Sequence, residues 1–147
     1  MDRQNSIGFV IRRMSNLLRR KLMEVAPPPQ DRQGVTETEG QIMGFLCDHP
    51  ELELYQRDVE EVFCVRRSTA SRFLQNLEAD GMLRRESVPR DARLKRLVPT
   101  QKALAIHAEF EGVDRHLERL MTQGLTEEEV SCFLHVACKI QQNLTRQ

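Results

Sequence analysis

The sequence lacks the features that mark several protein classes. Its 147 residues include no tryptophan, one tyrosine and four cysteines, and its seven glycines and six prolines are too few for a fibrous or low-complexity chain. No apolar run is long enough for a transmembrane helix. The short apolar patch near the N-terminus is followed by no small-residue cleavage site, so it is not typical of a signal peptide. We therefore predict a cytoplasmic protein with no membrane partner and with reduced thiols.

Patterns that would indicate catalysis are also missing. The chain has no Gly-rich phosphate loop, no nucleophile-elbow pattern and no pair of acids in an apolar setting. We predict that it is not an enzyme and that it needs no cofactor or metal. Its 39% hydrophobic residues suffice for one domain with a modest core.

The charges cancel over the whole chain but not locally. Residues 66–96 contain nine basic and four acidic residues, a net charge of +5, whereas residues 25–65 have a net charge of −7. A concentrated basic segment attracts a polyanion even when the total charge is zero. The alternative is that the charged residues only solvate an exposed face.

Apolar residues recur at steps of three and four along most of the chain, which predicts a mainly α fold. Thr36-x-x-Glu39 and Thr126-x-x-Glu129 have the capping-box pattern that starts helices. Thr100 is the predicted N-cap of the fifth helix, and Gly81 is placed for the left-handed cap that ends the fourth. The six predicted helices cover residues 6–25, 36–49, 55–64, 67–80, 100–123 and 126–144.

The period changes to a β pattern between the fourth and fifth helices. MLRRESV (82–88) and LKRLVP (94–99) flank the turn-like PRDAR (89–93), which predicts a two-stranded hairpin with a charged tip. Two short helices joined by a tight turn and followed by a hairpin make a winged helix-turn-helix. The sequence thus predicts six helices plus a two-stranded β-hairpin wing.

The fourth predicted helix begins with hydrogen-bond donors suited to DNA. Arginine grips guanine in a bidentate manner, Gln and Asn do the same for adenine, and the free amides of a helix N-terminus attract phosphate. A helix that reads the major groove should have such donors in its first turns. The candidate contacts in this helix are Arg66, Arg67, Ser68, Thr69, Ser71, Arg72, Gln75 and Asn76.

The predicted wing adds a second group of candidate contacts. An arginine at a wing tip enters a narrow minor groove because negative potential is concentrated there. Asp91 lies two residues before Arg93, so its carboxylate either pairs with the guanidinium or only shapes the turn. The candidate contacts in the wing are Arg90, Asp91, Arg93 and Lys95.

The sequence resembles the MarR family of bacterial transcriptional regulators over nearly its whole length. The matching segments are Val35-Thr36, RRSTASRFLQNLEADGML from residue 66, Asp91-x-Arg93, LVPTQKA (97–103) and GLTEEE (124–129). The chain departs from the family pattern at Tyr55 and Arg66, where Ser or Thr usually caps the third and fourth helices, and at Ala103, which replaces a common glycine.

The resemblance implies a homodimeric repressor of transcription that binds a pseudo-palindromic site in double-stranded DNA. It implies that Arg93 enters the minor groove with support from Asp91, that residues 67–76 face the major groove, and that a small-molecule effector acts between the lobes. Residues 1–147 would form one MarR-like chain, with 36–99 as the DNA-binding lobe and 1–25 and 100–147 as the dimerisation helices. Long apolar helices at both chain ends also favour a twofold partner independently of the family.

Three alternatives remain open at this point. Cys132-x-x-His135-x-x-Cys138 has ligand-like spacing on the last helix, although ordinary packing explains it as well. Cys64 lies beside two arginines, a basic setting that lowers the pKa of redox-active thiols. Both features belong to the hypothesis of a thiol- or metal-sensing regulator. A winged helix can also serve as a protein-docking module without binding DNA.

Overall fold

The computed structural model describes residues 3–27 and 34–146, which fall into two units. Pro27–Glu111 form one unit, which we call the winged-helix unit. Met1–Ala26 and Gly112–Gln147 form the other, which we call the terminal unit. All the segments predicted to make the winged helix-turn-helix lie in the first of these units.

The predicted mainly α fold with a hairpin wing is confirmed. The described residues contain six α-helices and one antiparallel two-stranded sheet, and a 3-10 turn at Arg3–Asn5 precedes the first helix. In chain order the elements are α1 (Ile7–Val25), α2 (Glu37–Asp48), α3 (Gln56–Val62), α4 (Arg67–Ala79), β1 (Leu83–Val88), β2 (Asp91–Pro99), α5 (Gln101–Thr122) and α6 (Glu127–Thr145).

The helices begin where the capping patterns predict. The Thr36 hydroxyl accepts the Glu39 N–H at 3.3 Å, while the Glu39 carboxylate accepts the Thr36 N–H at 3.0 Å. The equivalent bonds of Thr126 and Glu129 measure 3.1 and 2.9 Å. Such reciprocal bonds satisfy two N–H groups that the helix itself leaves free. The two capping boxes therefore fix the starts of α2 and α6.

The end of α4 is a left-handed turn at Gly81, as predicted. Gly81 has φ +72°, a region that glycine enters without steric cost. The N–H of Met82 bonds to the Leu77 carbonyl at 2.9 Å, and that of Gly81 bonds to the Glu78 carbonyl at 3.0 Å. The Thr100 hydroxyl then donates to the Gly81 carbonyl at 2.6 Å, which joins the start of α5 to the end of α4.

The wing differs from the prediction at its tip. Strand pairing is regular from Leu83↔Pro99 to Ser87↔Lys95, and then Val88 pairs with Asp91. Residues 92–94 therefore form a bulge on the second strand, which begins at Asp91 rather than at residue 94. The predicted five-residue turn was wrong because residues 91–95 are all exposed, so no alternation of apolar and polar residues marks the strand there.

The winged-helix unit has a closed apolar core. Its helices, its hairpin and the start of α5 each contribute buried side chains, and the Leu54 carbonyl accepts the Leu97 N–H at 2.8 Å beside the sheet. This packing holds α4 and the hairpin in one body. The buried residues of this core cluster are Ile42, Met43, Leu46, Cys47, Leu54, Val59, Ala70, Leu74, Leu77, Met82, Leu83, Leu97, Ala103 and Ile106.

The described residues of the terminal unit form no comparable core within one chain. Neither α1 nor α6 contains a buried residue, and apolar side chains on both helices are solvent-exposed. Phe133 is 55% exposed, Leu134 61% and Leu144 79%. No helix in the described part of the chain is both long and apolar enough to cross a lipid bilayer.

Candidate nucleic-acid interface

The start of α4 presents a set of donors that nothing in the described residues satisfies. Arg66 is the N-cap residue in an extended conformation, and its side chain makes no capping hydrogen bond. The Arg72 guanidinium lies 5.5 Å from the centroid of the Phe73 ring and has no ion pair among the described residues. Six side chains from residue 66 to residue 75 likewise have no hydrogen-bond or ion-pair partner in residues 3–27 and 34–146: Arg66, Arg67, Ser68, Thr69, Ser71 and Gln75.

The turn before α4 is fixed by backbone hydrogen bonds. Cys64 adopts φ +51°, and its N–H bonds to the Glu61 carbonyl at 3.4 Å. The next N–H, of Val65, bonds to the Glu60 carbonyl at 3.1 Å. These two bonds form the helix-ending motif that usually has glycine at its left-handed position. The Gln56 amide also donates to the Arg67 carbonyl at 3.3 Å, which joins the first turns of α3 and α4.

Asn76 makes a contact within the protein that the sequence did not predict. Its side-chain amide donates to Glu39 Oε1 at 2.8 Å, and Glu39 is only 1% exposed. Because the other oxygen of that carboxylate accepts the Thr36 N–H, both oxygens of the buried group are hydrogen-bonded. A base contact by Asn76 stays a prediction and would compete with this bond, whereas Gln75 beside it is exposed and has no partner in the described part of the chain.

Most arginines of the wing are paired with carboxylates. Glu86 accepts hydrogen bonds from Arg84 at 3.0 Å and from Arg96 at 3.1 Å, and Arg85 pairs with Glu78 on α4. These pairs are at least partly exposed, so each contributes little stability. The carboxylates neutralise the charge of these arginines. A count of basic residues alone would have assigned that charge to an anion-binding surface.

The remaining three cations near the wing tip differ from one another. Arg90 donates to the Glu53 carboxylate and, at 2.8 Å, to the Tyr55 hydroxyl. Lys95 donates to the neutral Ser87 hydroxyl at 2.7 Å and keeps its charge unpaired. Within residues 3–27 and 34–146, Arg93 has neither an ion pair nor a side-chain hydrogen bond. Arg93 and Lys95 are thus the wing cations whose charge is available.

Asp91 supports Arg93 through the backbone. Its Oδ1 accepts the Arg93 N–H at 2.9 Å, the bond of an Asx turn. Among the described residues no ion pair joins the Asp91 carboxylate to the Arg93 guanidinium, so the predicted side-chain pairing is wrong and the turn-forming alternative holds. The guanidinium remains exposed while its backbone is held.

The segment that includes α2, α3, α4 and the wing tip matches a known family. Residues 33–94 match the family model described as MarR family. This stretch includes the donors at the start of α4 and the Asp91–Arg93 turn. This segment of the chain is similar to the MarR family.

Known transcriptional regulators are similar to this chain over most of its length. The HTH-type transcriptional regulator YybA of Bacillus subtilis (strain 168), itself uncharacterised, is 25% identical over 112 residues, or 74% of this chain and 73% of YybA. MarR from Oenococcus oeni PSU-1 is 26% identical with a TM-score of 0.80, over 93% of this chain and 99% of that one. The MepR–DNA complex of S. aureus has a TM-score of 0.82 at 20% identity, over 98% of this chain and 100% of that one.

Two of the three departures from the MarR pattern, at Tyr55 and Arg66, change how α3 and α4 begin. At Tyr55 the N–H donates to the Asp58 carboxylate at 2.7 Å, so the start of α3 is satisfied from within the helix. At Arg66 no side chain replaces the usual hydroxyl cap. The first amides of α4 therefore remain open to an external acceptor.

The cysteines form no metal site among the described residues. Cys132 and His135 line one shallow, open depression on α6 together with Glu127, Glu128 and Ser131. Because all five residues belong to one helix, they provide no ligands from a second direction. Burial, with a smaller contribution from Asp48, raises the pKa of the Cys47 thiol to about 11, so that thiol is unreactive at neutral pH. Cys64 is exposed.

Sequence reasoning missed three residues that organise this surface. Glu39 was predicted only as a helix cap, and neither Glu53 nor Tyr55 was predicted as a partner of the wing. Glu39 and Glu53 each contact a residue 37 positions away. No short-range spacing rule relates residues so far apart, so the sequence contained no signal for these contacts.

Proposed function

We propose that this chain is a transcriptional regulator of the MarR type, that it binds a pseudo-palindromic operator in double-stranded DNA as a homodimer, and that it represses transcription until a small-molecule effector releases it. The observation that carries the proposal is the set of unsatisfied donors at the start of α4, next to a wing that exposes Arg93. DNA offers acceptors to both groups at once, through its base edges and its phosphates.

The start of α4 suits the major groove. Arg67 and Arg72 have the planar fork that pairs with guanine O6 and N7, and Gln75 matches adenine one turn further along. The free amides at the helix start suit a backbone phosphate. The hydroxyls of Ser68, Thr69 and Ser71 donate to either kind of acceptor. Direct readout by this helix would give the protein its sequence preference.

The wing suits the minor groove. Arg93 is exposed and unpaired among the described residues, and the Asp91 turn holds its backbone in place. Lys95 provides a second available charge. Cations that enter a narrow minor groove respond to its width and potential more than to base identity. We propose that the wing contributes affinity broadly across sequences.

A second copy of the chain would cover the exposed apolar faces of the terminal unit. Large apolar side chains exposed on α1 and α6 stabilise a folded protein only when a partner buries them. We propose that residues 1–25 and 100–147, apart from the start of α5 that packs in the winged-helix core, make this dimer lobe and that residues 36–99 make the DNA-binding lobe. A twofold dimer would place its two α4 helices at half-sites about 34 Å apart. We further propose a cytoplasmic, non-enzymatic role.

A selection of genomic DNA fragments tests the proposal. The purified protein is incubated with fragmented bacterial DNA at low and at moderate salt, and the bound fragments are sequenced. We expect enrichment of one palindromic motif and an affinity that falls steeply with salt, because phosphate contacts release counterions. A double variant, Arg67→Ala with Arg93→Ala, should enrich nothing, whereas Arg84→Ala should select the same motif.

The same experiment distinguishes the protein-docking alternative. A docking module would enrich no fragment at either salt concentration, and its binding to a protein partner through an apolar surface would depend weakly on salt. That outcome would also remove the recognition role of α4.

A further inference from the structure

Glu53, Tyr55 and Arg90 form a closed cluster beside the wing tip. Arg90 donates to the Glu53 carboxylate and to the Tyr55 hydroxyl, and that hydroxyl donates to the same Glu53 oxygen at 3.0 Å. Each pair of the three side chains is therefore joined by a hydrogen bond. The two acceptors lie in the segment between α2 and α3, whereas Arg90 lies in the turn between β1 and β2. The cluster links the tip of the hairpin to a part of the chain 35 to 37 residues earlier.

The segment that holds the acceptors is itself anchored. Leu54, between the two acceptors, is 6% exposed, and its carbonyl accepts the Leu97 N–H at 2.8 Å. The Tyr55 N–H donates to the Asp58 carboxylate at 2.7 Å at the start of α3. The cluster therefore ties the wing tip to a point fixed by the core and by a helix start.

The wing tip has few restraints of its own. Beyond Ser87↔Lys95 the regular pairing stops, and residues 92–94 form a bulge. Side chains hold the tip from within through the Asp91–Arg93 turn and the Lys95–Ser87 bond. A hairpin of two strands is marginally stable by itself, and bulged residues lack the bonds of a ladder. A restraint from outside the hairpin would therefore change how widely the tip moves.

The cluster is an ion pair at neutral pH. Hydrogen bonds from Arg90 and Tyr55, and the positive charge of Arg90, hold the pKa of Glu53 below its usual value. The same contacts raise the pKa of Arg90. Glu53 therefore loses its proton at a lower pH than an isolated glutamate does, and the pair is charged at the neutral pH at which DNA binding would be measured.

We propose that Glu53 and Tyr55 are positioning residues that fix the wing for DNA binding by holding Arg90, so that Arg93 is presented to the minor groove in a restricted range of positions. This inference rests on the proposed function. Arg90 then acts within the protein and is not itself a phosphate contact, which revises its place among the predicted DNA contacts. Restricting the wing before binding reduces the ordering that complex formation requires, and this raises affinity without adding a contact.

The direction in which one substitution changes DNA affinity distinguishes this positioning role from simple electrostatic repulsion. Glu53→Gln removes a negative charge next to a DNA-binding surface, so repulsion alone predicts tighter binding. Loss of wing positioning predicts weaker binding, by about threefold to tenfold for a few side chains that become mobile. Glu51→Gln is the matched control, because Glu51 is exposed in the same segment and has no hydrogen bond to another described residue. We expect Glu51→Gln to bind as the wild type does or slightly more tightly.

The salt dependence tests Arg90 directly. If Arg90 positions the wing, Arg90→Ala weakens binding as much as Glu53→Gln does, the double variant is no weaker than either single one, and the slope of log affinity against log salt is unchanged. If Arg90 instead touched a phosphate, its removal would make the slope shallower by about 0.9 for each phosphate that the protein no longer neutralises. A shallower slope for Arg90→Ala, or tighter binding by Glu53→Gln, overturns the proposal.

A measurement on the free protein tests, without DNA, whether the cluster restrains the wing. Backbone amide relaxation of residues 91–95 should report larger amplitudes in Glu53→Gln and in Tyr55→Phe than in Glu51→Gln, while the amide of Leu97 and the melting temperature stay the same. Unchanged wing mobility would contradict the inference even where DNA binding is retained. Failure of the wild type to bind any DNA would count against the proposed function, and the relaxation result would still decide the role of the cluster.

Discussion

The start of α4 and the wing are both rich in arginine, yet they differ in how much positive charge they leave available. At the start of α4, Arg66, Arg67 and Arg72 have no ion pair in the described part of the chain. In the wing, Arg84, Arg85, Arg90 and Arg96 each pair with a carboxylate. Similar counts of basic residues therefore correspond to different surfaces. Only the pairing in three dimensions separates the two cases.

The difference has a consequence for binding. A free arginine that meets a phosphate exchanges solvent and counterions for the contact, whereas a paired arginine must also give up its carboxylate. The salt dependence of DNA binding should therefore follow the free cations. In the wing, the salt dependence should come from Arg93 and Lys95, whereas the paired arginines should stabilise the conformation of the hairpin.

The largest effect should come from Arg67. Arg67→Ala should lower DNA affinity about tenfold to a hundredfold, because a bidentate contact to guanine is worth about 1–3 kcal/mol. Arg67→Lys keeps the charge but loses the planar fork, so it should keep the salt slope while relaxing base preference. Fluorescence anisotropy titrations over a range of salt, with the selected operator and single-base variants, would measure both quantities.

Arg84→Ala is the control for that comparison. Arg84 pairs with Glu86 in the wing, and Glu86 keeps Arg96 as a second partner after the substitution. We expect operator affinity to change less than about twofold, since exposed pairs contribute little. A loss as large as that of Arg67→Ala would mean that paired and free arginines contribute alike.

The next effect should come from Arg93. Arg93→Ala should weaken binding about tenfold, and by a similar factor on operator and non-operator DNA, because the minor groove distinguishes bases poorly. The salt slope should become shallower by about 0.9 for each phosphate that is no longer neutralised. A loss confined to the operator would assign Arg93 to base readout, and undiminished affinity would remove the wing from the interface.

Gln75 and Asn76 provide a smaller contrast within α4 itself. Asn76→Ala should lower the free energy of unfolding by about 1 kcal/mol, because it removes a hydrogen bond to the buried Glu39 carboxylate. Its base preference should be that of the wild type. Gln75→Ala should leave stability within about 0.5 kcal/mol of the wild type and alter base preference. Urea unfolding would measure the stability of both variants, and sequence selection would measure their base preference. An altered base preference in Asn76→Ala, with that of Gln75→Ala unchanged, would make Asn76 the base contact.

Local rules in the sequence predicted the helices and their caps well. The boxes at Thr36 and Thr126 and the left-handed end at Gly81 depend on residues within a few positions of one another, so their chemistry can be recognised from the sequence. The donors at the start of α4 were recognisable for the same reason, since a helix start and its first turns form one short segment.

Contacts between distant segments were not predictable in this way. The Glu39–Asn76 and Glu53–Arg90 bonds each join residues 37 positions apart, and their geometry depends on how the core packs. The start of β2 at Asp91 was missed because an exposed bulge has no alternation of residue types. The free or paired state of each arginine therefore became clear only from the fold.

The smallest effect should come from the turn before α4. The start of α4 and the wing are held in place in different ways. Backbone bonds around Cys64 fix the start of α4, whereas a side-chain cluster restrains the wing. Cys64→Gly should raise the free energy of unfolding by about 0.5–1 kcal/mol, because Cys64 has φ +51° and glycine adopts that conformation without a steric cost. DNA affinity and salt slope should not change, since the backbone bonds of the motif remain. Weaker binding by this variant would show that the thiol itself, and not the backbone conformation, supports α4.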